Sequence, residues 1–401
     1  MGIGGRLITV SDILALTAFE NVRLVAPCDG GGAREVRNVG ILDCPPDYNE
    51  YSVYMPRELI LTNLGFAYGN PDMAEKSLLT MIRRDVAAIA IKSVYEPPIS
   101  DLVRSESAAR GVPLYLHDGA YYETVAYESL DLIRRDQEGL DKGRIVDELL
   151  ASHDGDRTRK LLHGIAGMGG ALVQCFALTT PTTDKCSFFA TVDAVTLLLA
   201  SVAEDGSVVE SVSVCPYRER ILALVSYGNA GIEEMASIEE RCLALIAAAG
   251  NLRCGVGEAV RPTDGDLTVH QALTAADAVE RDGVRAVRWA DLHAGAFMDA
   301  ARSNRLFMSA SALYRSKLAR YDDVHGTELM VTVEALVRAY GDVKTVADEL
   351  HQHPNTVRYR VRKAKALLGM ADRTDRELLY LLDLVFLPTF DSSKQCLPGN
   401  G

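Results

Sequence analysis

Three short apolar runs near the N-terminus, at residues 59–62 (LILT), 87–91 (AAIAI) and 113–116 (PLYL), alternate with longer stretches at 71–84 and 99–110 whose apolar residues recur at helical spacing. Unalternating runs of four or five read as strands buried on both faces, and Gly111 suits the end of the second helix. Strand, crossover helix, strand predicts an α/β domain with a parallel sheet over residues 7–133. Residues 121–162 have few turn formers, with Val125, Leu130, Leu132, Ile133, Leu140, Ile145, Val146, Leu149 and Leu150 set among charges. They predict one or two helices, including a connector at 134–164. From 165 to 292 the pattern changes to strands at 171–177, 187–192, 208–214, 221–226 and 252–257, with helices at 231–249 and 268–280. This predicts an α+β domain whose sheet is covered on one face. Residues 293–390 read as all-α, and 391–401 as a tail.

Within that last domain, 343–368 (VKTVADELHQHPNTVRYRVRKAKALL) carries the sharpest signal. Ala347 falls where a first helix must be small to let a second cross close by, and Val346 and Leu350 are apolar beside it. His351, Gln352 and His353 form a turn, in which His351 stands where glycine is usual; histidine tolerates positive φ better than most residues. Pro354 suits the first position of a helix, where its missing N–H has no intrahelical partner. At about 100° per residue, Val357, Val361, Ala364 and Leu368 share one stripe, and Asn355, Tyr359, Arg362 and Ala366 point the opposite way. Arg358 and Lys363 flank the outward face, and Arg360 sits at the edge of the apolar stripe. The pattern is that of a helix-turn-helix. Recognition helices touch bases with their N-terminal residues, so Asn355, Thr356, Arg358 and Tyr359 are expected at bases or adjacent phosphates. Arg360, Arg362, Lys363 and Lys365 are expected mainly at phosphates.

Charge sharpens this picture. The chain of 401 residues has a formal net charge of -13. Residues 341–370 hold six basic residues (Lys344, Arg358, Arg360, Arg362, Lys363, Lys365) and three acidic ones (Asp342, Asp348, Glu349), a local +3 that leaves -16 for the rest. An acidic body repels a polyanion, so contact with nucleic acid is expected only at the basic module. The length exceeds what one core organises and implies several domains. The eight cysteines, Cys28, Cys44, Cys175, Cys186, Cys215, Cys242, Cys254 and Cys396, include no C-x-x-C pair and read as reduced, mostly buried thiols. No charged-then-apolar leader precedes the first domain, and the longest apolar runs, near 192–203 and 242–249, look too short to span a bilayer. A cytoplasmic chain without membrane contact is expected.

The run His353-x-Asn355-Thr356-Val357-x-Tyr359-Arg360, preceded by Ala347 and Leu350, resembles the C-terminal signature of PucR-type (purine-catabolism) transcription factors, relatives of the sugar-diacid regulators. Residues 328–340 and 375–387 resemble the helices that flank it in that family. Weaker similarity covers most of the remaining chain. Residues 57–62 and 111–114 resemble the family's N-terminal regulatory domain, in which an effector is sensed. Cys254-Gly255-Val256-Gly257 and residues 271–278 resemble its degenerate GGDEF-like domain. The resemblance therefore implies an α/β sensor, a degenerate GGDEF-like α+β domain and an all-α DNA-binding domain. The stretch 222–228 (LALVSYG), where a cyclase would carry its Gly-Gly-Asp/Glu-Glu-Phe hairpin, supplies neither a carboxylate pair nor a Gly-Gly cradle.

Ligands of open α/β sheets commonly sit beyond the carboxyl ends of the strands, which puts Thr62, Asn63, Lys92, Ser93, His117 and Asp118 around a predicted effector pocket. No enzyme motif competes with this reading. Gly164, Gly167, Gly169 and Gly170 follow a helix and lead into a strand, the reverse of a phosphate loop. Gly30, Gly31 and Gly32 read as a surface turn, and His351 and His353 lack metal-ligating neighbours. No catalytic residue, metal or cofactor is expected. Two classes remain: an effector-responsive regulator of a catabolic operon that binds double-stranded DNA as a homo-oligomer, or a small-molecule-binding protein or enzyme with a helical tail that does not bind DNA.

Overall fold

A computed structural model describes residues 7–26, 28–46, 51–96, 98–167, 169–182, 184–204 and 208–389. The predicted tail at 391–401, with Cys396, lies outside the described residues. The chain divides into two compact units, residues 1–288 and 289–401.

The first unit begins with helix α1 (Val10–Leu14), capped by Thr9 and Asp12 in a reciprocal capping box. Strands β1 (Arg23–Ala26), β2 (Asn38–Ile41), β3 (Glu58–Thr62), β4 (Ala88–Lys92) and β5 (Leu114–His117) form a sheet in the order β1-β5-β4-β3-β2. β2 to β5 run parallel, and β1 is antiparallel to β5. Helices α2 (Pro71–Arg83) and α3 (Asp101–Arg110) make the crossovers expected from the pattern. The alternation explains the layering: Ile60, Ile89, Ile91 and Leu114 pack with Leu78, Ile82 and Val103 of α2 and α3. Leu59, Leu61, Ala88, Ala90 and Tyr115 belong to the cluster on the opposite face. β1 and β2 escaped the sequence pattern because they lie at the edges of the sheet and are only partly buried.

Helix α4 (Tyr122–Leu150) runs from one core to the next, giving Val125 and Leu132 to the first and Val146 and Leu149 to the second. Asp154 then caps α5 (Gly155–Ala166), accepting from the amides of Asp156 at 2.9 Å and Arg157 at 3.1 Å. Gly167, at φ +63°, closes α5 before the next strand.

The second sheet comprises β6 (Leu172–Thr179), β7 (Val209–Tyr217), β8 (Arg220–Tyr227), β9 (Arg253–Val256) and β10 (Ala286–Arg288), in the order β10-β9-β6-β8-β7. Its helices are α6 (Lys185–Glu204), α7 (Ile232–Ala248) and α8 (Gly265–Asp282). The strand expected at 187–192 is instead the first part of α6. A helix apolar on most sides presents the same short run of aromatic and β-branched residues as a buried strand. By length and composition Lys185–Ala203 would suffice to cross a membrane, but here Phe188, Phe189, Val195, Leu199 and Val202 are buried in the core of the first unit. The sheet is covered on both faces rather than one. Val173, Cys175, Leu222 and Leu224 pack with α4, α5 and α8, whereas Phe176, Leu178, Ala223 and Val225 join the cluster holding α6 and α7. At Gly255 a Cβ would strike the backbone of Ala272 and Ala276 in α8, so glycine is what lets this helix lie against β9. Residues 222–227 lie within β8, and the tight turn between β7 and β8 is at Arg218 and Glu219. Cys175, Cys215, Cys242 and Cys254 are buried thiols as expected, but Cys44 is exposed.

The second unit is helical: α9 (Ala294–Ser303), α10 (Arg305–His325), α11 (Leu329–Arg338), α12 (Val343–Glu349), α13 (Pro354–Leu367) and α14 (Asp375–Phe386). Its core joins Leu318 of α10, Val333 and Leu336 of α11, Val346 and Ala347 of α12, Val357 and Ala364 of α13, and Leu378, Leu382 and Phe386 of α14.

Candidate nucleic-acid interface

Helices α12 and α13 are built from local signals. Asp342 caps α12, its carboxylate accepting from the Lys344 amide at 3.0 Å and the Thr345 hydroxyl at 2.6 Å. These bonds hold the Asp342 carboxyl below its usual range. Ala347 is 2% exposed at the crossing. His351 takes φ +52° in the turn, the left-handed conformation that glycine usually supplies. His353 is the N-cap of α13, and its Nδ1 accepts from the Asn355 amide at 3.2 Å. Replacing it by alanine should cost about 1 kcal/mol in urea unfolding, while His353→Asp, which restores an acceptor, should lose little. Equal stability of all three proteins would exclude the cap.

Of the inward stripe expected on α13, Val357, Ala364 and Leu368 are buried and Val361 is half-buried against the same core. Asn355, Arg358, Tyr359, Arg362 and Ala366 are exposed, Tyr359 by 62%. The Asn355 Oδ1 accepts from Arg358 Nη1 at 3.0 Å. Thr356 is half-buried beside this face.

Three cations expected at phosphates are engaged within the unit. Arg360 is paired with Glu328 at 3.0 Å and donates to the Thr332 hydroxyl of α11 at 3.3 Å, leaving 16% of its side chain exposed. Lys365 is paired with Asp375 at the start of α14 at 2.8 Å and is 12% exposed. The Nζ of Lys363 lies 4.8 Å from the centre of the Tyr321 ring on α10. Arg360 and Lys365, both expected at phosphates, are thus each paired with a carboxylate of a neighbouring helix. Glu328, Thr332, Asp375 and Tyr321 were missed in the sequence. Each lies at least ten positions from its cation, and only packing brings the partners together.

Residues 329–384 match the PucR C-terminal helix-turn-helix domain. The second unit carries a PucR-type helix-turn-helix. This PucR-type domain places the chain among DNA-binding transcriptional regulators rather than enzymes. Among solved structures, a regulator of polyketide synthase expression from Bifidobacterium adolescentis is 20% identical, the match covering 62% of this chain and 97% of that one at a TM-score of 0.32. No curated protein matches the chain.

The six residues expected around an effector pocket share one end of the first sheet, largely bonded among themselves and their neighbours. The Thr62 hydroxyl donates to the Leu42 carbonyl at 2.6 Å and accepts from the Leu64 amide at 3.0 Å. Asn63 Oδ1 accepts from the Gly65 amide at 2.8 Å. Lys92 donates to the carbonyls of Asp118 and Gly119, with its Nζ 4.8 Å from the Tyr121 ring centre. The Asp118 carboxylate accepts from Asn21 Nδ2 at 3.2 Å. Ser93 Oγ and His117 Nδ1 are buried without a hydrogen-bond partner. A cavity of about 330 Å³ lies elsewhere, lined by Leu7, Ile8, Glu35, Val36, Arg37, Ile133, Asp136 and Gln137.

His117 is 2% exposed, with its ring edge-on to Phe19 at 4.9 Å. Burial first, and then the Lys92 charge, push its imidazolium from 6.5 down to about 4. With the folded pKa below the unfolded one, the stability tied to the neutral ring is complete above pH 6.5 and is lost as pH falls towards 4. After allowance for solvent screening the loss should be on the order of 1–2 kcal/mol. Urea midpoints measured across this window should fall for the wild type and stay flatter for His117→Leu; parallel curves would refute the assignment.

Proposed function

We propose that this chain is an effector-responsive regulator of a catabolic operon that binds double-stranded DNA as a homodimer, reading bases with the outward face of α13. The observation that carries the reading is that face itself: Asn355, Arg358, Tyr359 and Arg362 are exposed on a helix whose other cations are held inward. The helix follows a short α12 and a tight turn, as a recognition helix must. A single such helix covers few base pairs, and two copies on symmetric half-sites raise both affinity and selectivity. In this reading residues 165–292 are a degenerate GGDEF-like domain, and the turn at Arg218 and Glu219 has one carboxylate and no glycine pair, which supports the absence of cyclase chemistry.

A mobility-shift assay on duplex DNA from upstream of the neighbouring genes tests the DNA-binding part. A specific complex whose log affinity falls linearly with log salt is expected; no complex at low salt would refute it. For the effector, the rim of Thr62, Asn63, Lys92, Ser93, His117 and Asp118 is the proposed contact set. Calorimetry across a metabolite panel tests it: binding unchanged by Asn63→Ala and Lys92→Ala removes the rim and turns attention to the cavity beside Asp136.

A further inference from the structure

The outward face of α13 is small, and two of its side chains are already joined. We propose that Asn355 is a positioning residue that holds the Arg358 guanidinium for bidentate recognition of one guanine, so that Arg358, not Asn355, selects the base. The inference rests on the DNA-binding reading above and adds the base class and the division of labour.

An asparagine that reads adenine offers its oxygen to the N6 amino group and its amide hydrogens to N7. Here Oδ1 of Asn355 faces the Arg358 guanidinium, 3.0 Å from Nη1. Arginine has five N–H donors in a rigid fork. With one Nη1 hydrogen directed at Asn355, the edge formed by Nε and Nη2 remains to meet O6 and N7 of guanine, the commonest specific contact in the major groove. The pair sits one turn apart on the helix, at i and i+3, where side chains are neighbours.

The helix beneath the pair is fixed in three directions. Arg360 ties it to Glu328 and α11, Lys365 to α14, and Lys363 stacks on Tyr321 of α10. The His353 cap bonds the amide of Asn355 itself. A side chain that must present two donors to one base edge gains from such a frame, because little freedom is left to lose on binding.

The test is selection of sites from a randomised duplex pool by the full chain, followed by affinities for the best site with each base pair changed in turn. For the wild type, one guanine should be preferred by about 5- to 150-fold over other bases. Arg358→Ala should abolish that preference. Asn355→Ala should weaken it at the same base pair, and the double variant should match Arg358→Ala alone. Asn355→Asp, which keeps an acceptor oxygen for Arg358 but has no donor for N7, should retain the guanine preference even if total affinity falls. Relaxation of a different base pair by Asn355→Ala, loss of an adenine preference in Asn355→Asp, or effects that multiply in the double variant would overturn the proposal while leaving sequence-specific binding intact. A wild type with no base preference would overturn it together with the reading on which it rests.

Discussion

Replacing Arg358 and Arg362 together by alanine should lower affinity for a selected duplex on the order of a thousandfold, taking about 2 kcal/mol for each arginine. Both side chains are exposed on one face of α13, a turn apart, so their loss leaves no cavity and the far-UV spectrum should not change. The salt dependence should separate them from their neighbours. Each phosphate contact removed lowers the slope of log affinity against log salt by about 0.9. Arg360→Ala should behave differently: it breaks the bonds to Glu328 and Thr332, so thermal stability falls while the salt slope stays near that of the wild type. A slope lowered equally by Arg360→Ala and Arg362→Ala would return Arg360 to the phosphates.

Lys185→Met should destabilise the first unit by about 3–5 kcal/mol, the cost of removing one partner from a buried ion pair. Lys185 Nζ lies 2.5 Å from Asp136 Oδ1, with the two side chains 2% and 8% exposed. The pair joins α6 to α4, and the Lys185 amide also donates to the buried Asp12 of α1 at 3.2 Å. Burial pushes the Asp136 carboxyl above its ordinary 3.8, and Lys185 pulls it back. Without the ammonium group the folded-state pKa rises further. The deficit of the variant is then full well above 3.8 and shrinks as pH falls, because the carboxyl is protonated first in the folded variant and then in the folded wild type, both above 3.8. Urea unfolding at neutral and acid pH should show this narrowing. The paired change Lys185→Met with Asp136→Leu should recover most of the stability, because replacing a whole buried pair by apolar groups is often neutral or better. A single variant as stable as the wild type would mean that water reaches the pair.

What could be read in advance depended on how local the cause was. The boundaries of α12 and α13 follow from Asp342, Pro354 and the small Ala347, all within the helices or adjacent to them. The inner strands β3, β4 and β5 were legible because burial on both faces leaves continuous apolar runs. The edge strands β1, β2 and β10, partly exposed, carry no such mark. α6 was misread at its start because phenylalanines and a valine at 188–192 suit either a buried strand or a buried helix, and the helix is revealed only by its continuation to Glu204. In the candidate interface the periodicity placed Asn355, Tyr359 and Arg362 on the exposed face. It also put Arg360 at the edge of the apolar stripe, but not its partner, since Glu328 lies 32 positions earlier on a helix that meets α13 only through tertiary packing.

The most direct measurement is equilibrium binding of the full chain to its selected duplex and to a scrambled duplex of equal length, at about 0.15 M salt. DNA reading by α13 predicts at least about a thousandfold preference for the selected site, collapsing towards unity when Arg358 and Arg362 are both alanine. A ratio near one in the wild type, or a large ratio that survives both substitutions, would contradict it.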